Sequence, residues 1–167
     1  MKVKKSLGFA TGLALLIWAC DNAMEPEKEP DLSAEALEFS LKVIETYITN
    51  DTTTFKTFLP ETIYLMEANE EPIPRSEISV TEVFATFDFS NYSMDDFNRS
   101  YSARIQRYDE FKDQTWVAEL TFWRPDAKDY LFTATLVPGE EDFMLDDLRT
   151  FVVTKRSGQW KVRAFRS

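Results

Sequence analysis

The C-terminal part of the chain constrains the fold more than any other stretch, because apolar and polar residues alternate there in successive runs that close on a hairpin pattern. Phe151, Val153 and Lys155 alternate with Val152, Thr154 and Arg156. After Ser157-Gly158, Trp160, Val162 and Ala164 alternate with Lys161, Arg163 and Phe165. A period of two sends successive side chains to opposite faces of a sheet, and Gly158 supplies the positive φ that a tight turn requires. The same period runs through Tyr101, Ala103 and Ile105, through Trp116, Ala118, Leu120 and Phe122, and through Tyr130, Phe132, Ala134 and Leu136. Arg124-Pro125-Asp126-Ala127-Lys128 makes the turn between the last two runs. The chain is therefore expected to end in an antiparallel meander with one almost wholly apolar face that must be covered.

Helices are expected to do the covering. Leu37, Leu41, Ile44 and Ile48 recur at helical spacing beside Phe39, Val43 and Tyr47, which predicts a helix over 33–49 with Ser33 as its N-cap. Asn50-Asp51 stops it, and Asp51 caps a second helix carrying Phe55, Phe58 and Leu59, with Ile63 and Leu65 beyond Pro60. The polar stretch 67–75, with Pro72 and Pro74, reads as a loop. Ser79-Val80-Thr81-Glu82 has the capping-box pattern and predicts a short third helix through Val83, Phe84 and Phe87, a strand being the alternative. Ser93 to Asp96 reads as the cap of one further turn.

The N-terminus reads as an address. Lys2, Lys4 and Lys5 form a basic start, and the apolar stretch from Leu7 to Trp18 is too short for a resident membrane span, so residues 1–19 are expected to be a secretory signal. Its end, Leu16-Ile17-Trp18-Ala19-Cys20, resembles the lipobox of bacterial lipoproteins at Ile17, Ala19 and Cys20, and departs from it at the bulkier Trp18. The resemblance implies that Cys20 is lipidated and becomes the new N-terminus. Several acyl chains hold a protein at a membrane where one does not. Cys20 is the single cysteine, which excludes an internal disulfide and a catalytic thiol. Residues 20–32, rich in Glu and Pro, read as an acidic tether, and 33–167 as one α+β domain. The expected place is the bacterial cell envelope, at an outer membrane or cell surface rather than an inner membrane.

Charge narrows the partners. The formal net charge is −10, and loss of the three lysines of the signal takes it to −13. Such a surface repels phosphate backbones, so no nucleic-acid partner is expected. There is no histidine, which removes a histidine general base and the commonest zinc ligand sets. Glu140, Glu141, Asp142, Asp146 and Asp147 lack the spacing of a calcium loop and read as solvated, so neither metal nor cofactor is expected.

Thr49-Asn50-Asp51 ahead of Phe55 and Phe58, together with Ser157-Gly158-Gln159-Trp160-Lys161-Val162 closing the meander, resembles the nuclear transport factor 2-like superfamily over residues 33–167. The resemblance implies a cone-shaped, cystatin-like α+β fold, with N-terminal helices packed in the concave face of a curved antiparallel sheet. It also implies a pocket at the wide end of the cone. Members include ketosteroid isomerase, polyketide cyclases and scytalone dehydratase as well as non-catalytic modules, so fold alone does not decide activity. On the alternation, Tyr47, Trp116, Phe122, Tyr130, Phe132 and Trp160 are the candidate pocket-lining residues, with Phe151 beside them. The polar groups on that face are Tyr47, Tyr101, Tyr130 and Lys155, without a carboxylate, and Glu119 falls on the other face. Val117, Trp123, Leu131 and Phe165, with Val137, form an apolar outer patch and the candidate interface. The expected function is a lipid-anchored, non-catalytic module that binds an apolar small molecule, or that pairs with a second copy or another envelope protein. The alternative is an isomerase, dehydratase or cyclase using the cone, which a buried carboxylate there would favour.

Overall fold

A computed structural model describes residues 30–77, 92–142 and 146–166, with the side chains of Asp146 and Asp147 left aside. The signal, Cys20, most of the tether and the third helix expected from Ser79 lie outside the described residues. Leu32–Ser167 forms one compact unit.

Helix α1 spans Ser33–Ile48 and α2 spans Thr52–Phe58. The start of α1 differs from expectation. Its N-cap is Leu32, with no side-chain cap, so Ser33 is the first helical residue rather than the cap. The Leu32 amide instead donates to the Tyr130 hydroxyl at 3.1 Å, so a tertiary contact satisfies a donor that local sequence leaves open. Asp51 does cap α2, accepting from the Thr54 amide at 3.0 Å. Ser93 and Asp96 form a full capping box at the head of α3, Met94–Ser100.

The strands are β1 (Thr62–Leu65), β2 (Ile73–Pro74), β3 (Tyr101–Arg107), β4 (Asp129–Leu136), β5 (Thr150–Arg156) and β6 (Gln159–Phe165). They form one curved six-stranded sheet in the order β2-β1-β6-β5-β4-β3. The architecture is α+β, but the sheet is mixed rather than antiparallel throughout, because β1 runs parallel to β6 with Tyr64 opposite Ala164. Pro60 ends the helical stretch, and Ile63 and Leu65, expected beyond it without an assigned strand, enter the sheet as β1. Within the expected loop, Ile73 pairs with Ile63, and Pro74 sits on the outermost strand, where its missing N–H costs nothing.

The largest departure is at 115–123. The alternating run expected to be a strand is instead α5, Thr115–Glu119, preceded by the single turn α4, Tyr108–Phe111, and followed by an irregular stretch to β4. Val117, Leu120 and Trp123 are the buried positions, spaced by three, whereas Phe122 is 48% exposed. The cause is tertiary. Leu131, Val152 and Ala164 form an apolar stripe on the sheet face turned away from α1, and Phe111, Val117, Leu120 and Trp123 cover it. The Trp123 indole N–H donates to the Leu65 carbonyl at 2.9 Å and the Arg124 guanidinium to the Val117 carbonyl, which ties the segment down.

A bulge in β6 decides which face its last residues join. Val153 pairs with Val162 but its neighbour Val152 pairs with Ala164, leaving Arg163 as the extra residue. Ala164 consequently joins the outer stripe and Phe165 turns toward the α1 side, reversing their expected assignments. The hairpin itself is as expected: Ser157 (φ 51°) and Gly158 (φ 77°) both take positive φ, as a two-residue type I′ loop needs. Gly158→Ala is expected to lower stability by about 1–2 kcal/mol in urea denaturation through backbone strain alone. Space is not the obstacle, since no heavy atom lies within 4 Å of the position a Cβ would take.

Candidate functional site

The concave face carries Tyr47, Tyr130, Phe132 and Trp160 of the residues expected to line a pocket, and its rings touch one another. Phe132 and Phe151 are fully buried with centroids 4.6 Å apart, Tyr130 meets Trp160 edge-on at 5.7 Å, and Trp160 stacks on Phe39 of α1 at 6.0 Å. Tyr47 joins the same cluster from α1. Trp116 and Phe122 do not belong to it: Trp116 packs on the opposite face beside Phe111 and Trp123, and Phe122 points to solvent.

The polar groups of the concave face are occupied. The Tyr130 hydroxyl takes the Leu32 amide, and the Tyr101 hydroxyl donates to Asp142 at 2.5 Å, with the Arg149 guanidinium 5.7 Å over its ring. Lys155 pairs with Glu35 at the head of α1 at 2.5 Å, and the Trp160 N–H reaches the same carboxylate at 3.4 Å. The hydrogen bond from Lys155, then that from Trp160, holds the Glu35 carboxyl below its ordinary value. These contacts fasten α1 to the sheet, which is a structural task.

The apolar outer patch expected as an interface is likewise used internally. Val117, Trp123 and Leu131 are 7%, 7% and 3% exposed, and Phe165 stacks on Phe55 of α2. Sequence periodicity missed this because it assigned the covering segment to the sheet itself.

A buried carboxylate does occur, but away from the cone. Asp129, at the start of β4, is fully buried, accepts the Asp126 amide at 2.9 Å and the Arg163 guanidinium, and lies 3.7 Å from Arg156. Burial pushes its carboxyl above the ordinary value, against the pull of Arg163 and of the Asp126 amide. Asp126 goes the other way: burial raises it, and this is outweighed by the Arg156 hydrogen bond, the Lys128 amide and the two guanidiniums, so it ends lowered. Arg163 also lies 5.2 Å over the Trp123 ring. The cluster locks the covering segment onto the sheet, and alternation gave no signal for it because Arg163 is the bulged residue.

A cleft of about 610 Å³ is open on the face away from α1. Leu131, Thr133, Thr150 and Gln106 on β3, β4 and β5 contribute to it, Thr133 lying opposite Thr150 and Gln106 opposite Leu131 in the sheet register. Gln114, Trp116 and Glu119 line it from around α5, Met66, Glu67 and Ala68 from the chain after β1, and Arg166 from the C-terminal end. The Trp116 N–H is spent on Gln114 at 2.7 Å, so Trp116 offers the cleft hydrocarbon. Among the described residues the side chains of Gln106, Thr133, Thr150, Glu67, Glu119 and Arg166 have no partner, so their donors and acceptors remain available. A second, more open depression is bordered by Lys56, Thr57, Glu61, Arg75 and Ser76. Among the described residues no group of three or more carboxylate, cysteine or histidine side chains is placed to hold a metal.

Comparison of the chain with protein-family models, with curated proteins and with solved structures finds no match.

Proposed function

We propose that the protein is a lipid-anchored envelope protein whose folded domain is a non-catalytic binding module. It presents the cleft beside Trp116 to its ligand. The observation that carries this is the division of labour between the sheet faces: the concave face is taken up by α1 and mutually contacting rings, while polar side chains with no partner among the described residues gather around the cleft on the other. The order of α1, an Asp51-capped α2 and a final Gly158 hairpin supports a nuclear transport factor 2-like origin. An enzyme of the isomerase or dehydratase type needs an acid-base pair in the cone, and the described tyrosines and lysine there serve packing and ion pairing. In the cleft, no described residue gives Glu67 or Glu119 the hydrogen bond that would orient a general acid or base.

Anchoring rests on Cys20 and is tested separately from binding. Cys20→Ser is expected to abolish incorporation of labelled fatty acid and to move the protein from the membrane to the soluble fraction. Equal labelling in both proteins would overturn the anchor. Binding by the module is tested by amide chemical shifts of the full chain during titration with candidate ligands, which are expected to move around Gln106, Trp116, Thr133 and Thr150. Shifts confined to the concave-face residues Tyr130, Phe132 and Trp160 would overturn the placement.

A further inference from the structure

We infer that the cleft takes a neutral, polyhydroxylated ligand: a saccharide, either free or as the end of a glycan. This deepens the binding-module reading and rests on it.

Charge is the first argument. The cleft carries Glu67 and Glu119 against a single Arg166, on a chain of net charge −10. An anion meets two carboxylates and a repelling surface, and a cation, though drawn by that charge, leaves the Arg166 guanidinium without an acceptor. A neutral hydroxyl meets no such conflict, because it donates to a carboxylate and accepts from a guanidinium or an amide N–H with the same group. The second argument is the neutral set on the strands. Thr133 and Thr150 stand side by side in register, and among the described residues their hydroxyls and the Gln106 amide have no partner. Gln114 has its carbonyl oxygen committed to Trp116, which leaves its N–H groups as donors. Such a set suits a ligand that presents many hydroxyls over a short span.

The third argument is Trp116. With its N–H occupied, it offers an apolar surface beside those polar groups, and a sugar ring has the matching pair of surfaces, C–H groups on its face and hydroxyls at its rim. The volume of about 610 Å³ lies inside the range of roughly 300–1,000 Å³ usual for small-molecule sites.

The test uses the full chain in a detergent without a sugar headgroup. Neutral disaccharides (maltose, cellobiose, chitobiose) are titrated by ligand-observed NMR, with choline, glutarate and the dipeptide Gly-Gly as cationic, anionic and zwitterionic controls. At least one disaccharide is expected to bind. Trp116→Ala should weaken it by more than about tenfold, and Thr133→Val and Thr150→Val by about fivefold each, the size of one lost hydrogen bond. The valine variants keep shape and serve where Trp116→Ala disturbs the packing against Phe111. Co-sedimentation with an insoluble glycan, compared with the free disaccharide, separates a glycan end from a free sugar. If only a control binds, with the same dependence on Trp116, the ligand class is overturned and the binding module stands. If nothing binds, and the titrations leave the cleft amides unmoved, both fall. Appearance of new reducing ends from a bound oligosaccharide would keep the ligand class and overturn the absence of catalysis.

Discussion

Arg163→Met is expected to lower the free energy of unfolding by about 3–5 kcal/mol in urea denaturation near neutral pH, because it strands a buried carboxylate. Asp129 is fully buried, and without Arg163 the charges and donors left near it among the described residues are the Asp126 amide, the Thr154 side chain and an Arg156 guanidinium 3.7 Å away. Methionine retains an apolar stem against Trp123, so the loss reports mainly on charge. Adding Asp129→Leu is expected to restore most of the lost stability, since the uncompensated charge is what costs, and a double-mutant cycle measures the coupling.

The pH dependence follows from the direction of the Asp129 shift. Burial holds its folded-state pKa above the unfolded value, so the folded protein takes up the proton first. The destabilisation from the buried carboxylate is complete above the folded pKa and is relieved as pH falls through it toward the ordinary carboxylate value. Removing Arg163 removes an opposing pull, so the gap between Arg163→Met and the parent narrows as pH falls from neutrality toward the ordinary carboxylate value. Glu35, Asp51 and Asp96 have lowered values: Glu35 through Lys155, Asp51 through Thr54, and Asp96 through Ser93 and then Arg99. Their contribution is present above the ordinary carboxylate value and is lost as pH falls through their lowered values, beneath this window and in both proteins alike. A gap that stays constant with pH would place the cost of the substitution in packing instead.

Phe151→Ala is expected to cost about 3–5 kcal/mol, the loss of a large ring plus the cavity it leaves. Phe151 is fully buried in β5, with Phe132 at 4.6 Å and Phe165 at 6.1 Å. Against the usual total stability of about 5–15 kcal/mol, that is a large share, visible as a markedly lower urea midpoint. Phe122→Ala, at a 48% exposed position, is expected to stay within about 0.5 kcal/mol. The two phenylalanines are thus expected to separate sharply, and equal losses would mean that 115–123 is a strand with Phe122 facing the core.

Much of the fold is legible where a local rule suffices. The helical period of Leu37, Leu41, Ile44 and Ile48 places α1, the Asp51 cap places α2, and the period of two places β3, β4, β5 and β6 within a residue or so. Ser157-Gly158 marks the hairpin because positive φ is a property of the residue and needs no partner. Most of the site was not legible. Trp116 was singled out, but for the wrong face, and no local rule marks Thr133, Thr150, Gln106 or Arg166 as lining a cleft.

The sequence by itself therefore determined the elements whose hydrogen bonds and apolar faces follow from neighbouring residues: the helix pair, the meander and its turn. Tertiary structure alone decided the parallel entry of β1, the helical form of Thr115–Glu119, the bulge at Arg163 and hence the position of the cleft. The physical reason is common to all of them. Each depends on which surface needs covering after the sheet has formed, and burying the stripe of Leu131, Val152 and Ala164 outweighs a modest strand preference in a run as short as 116–123.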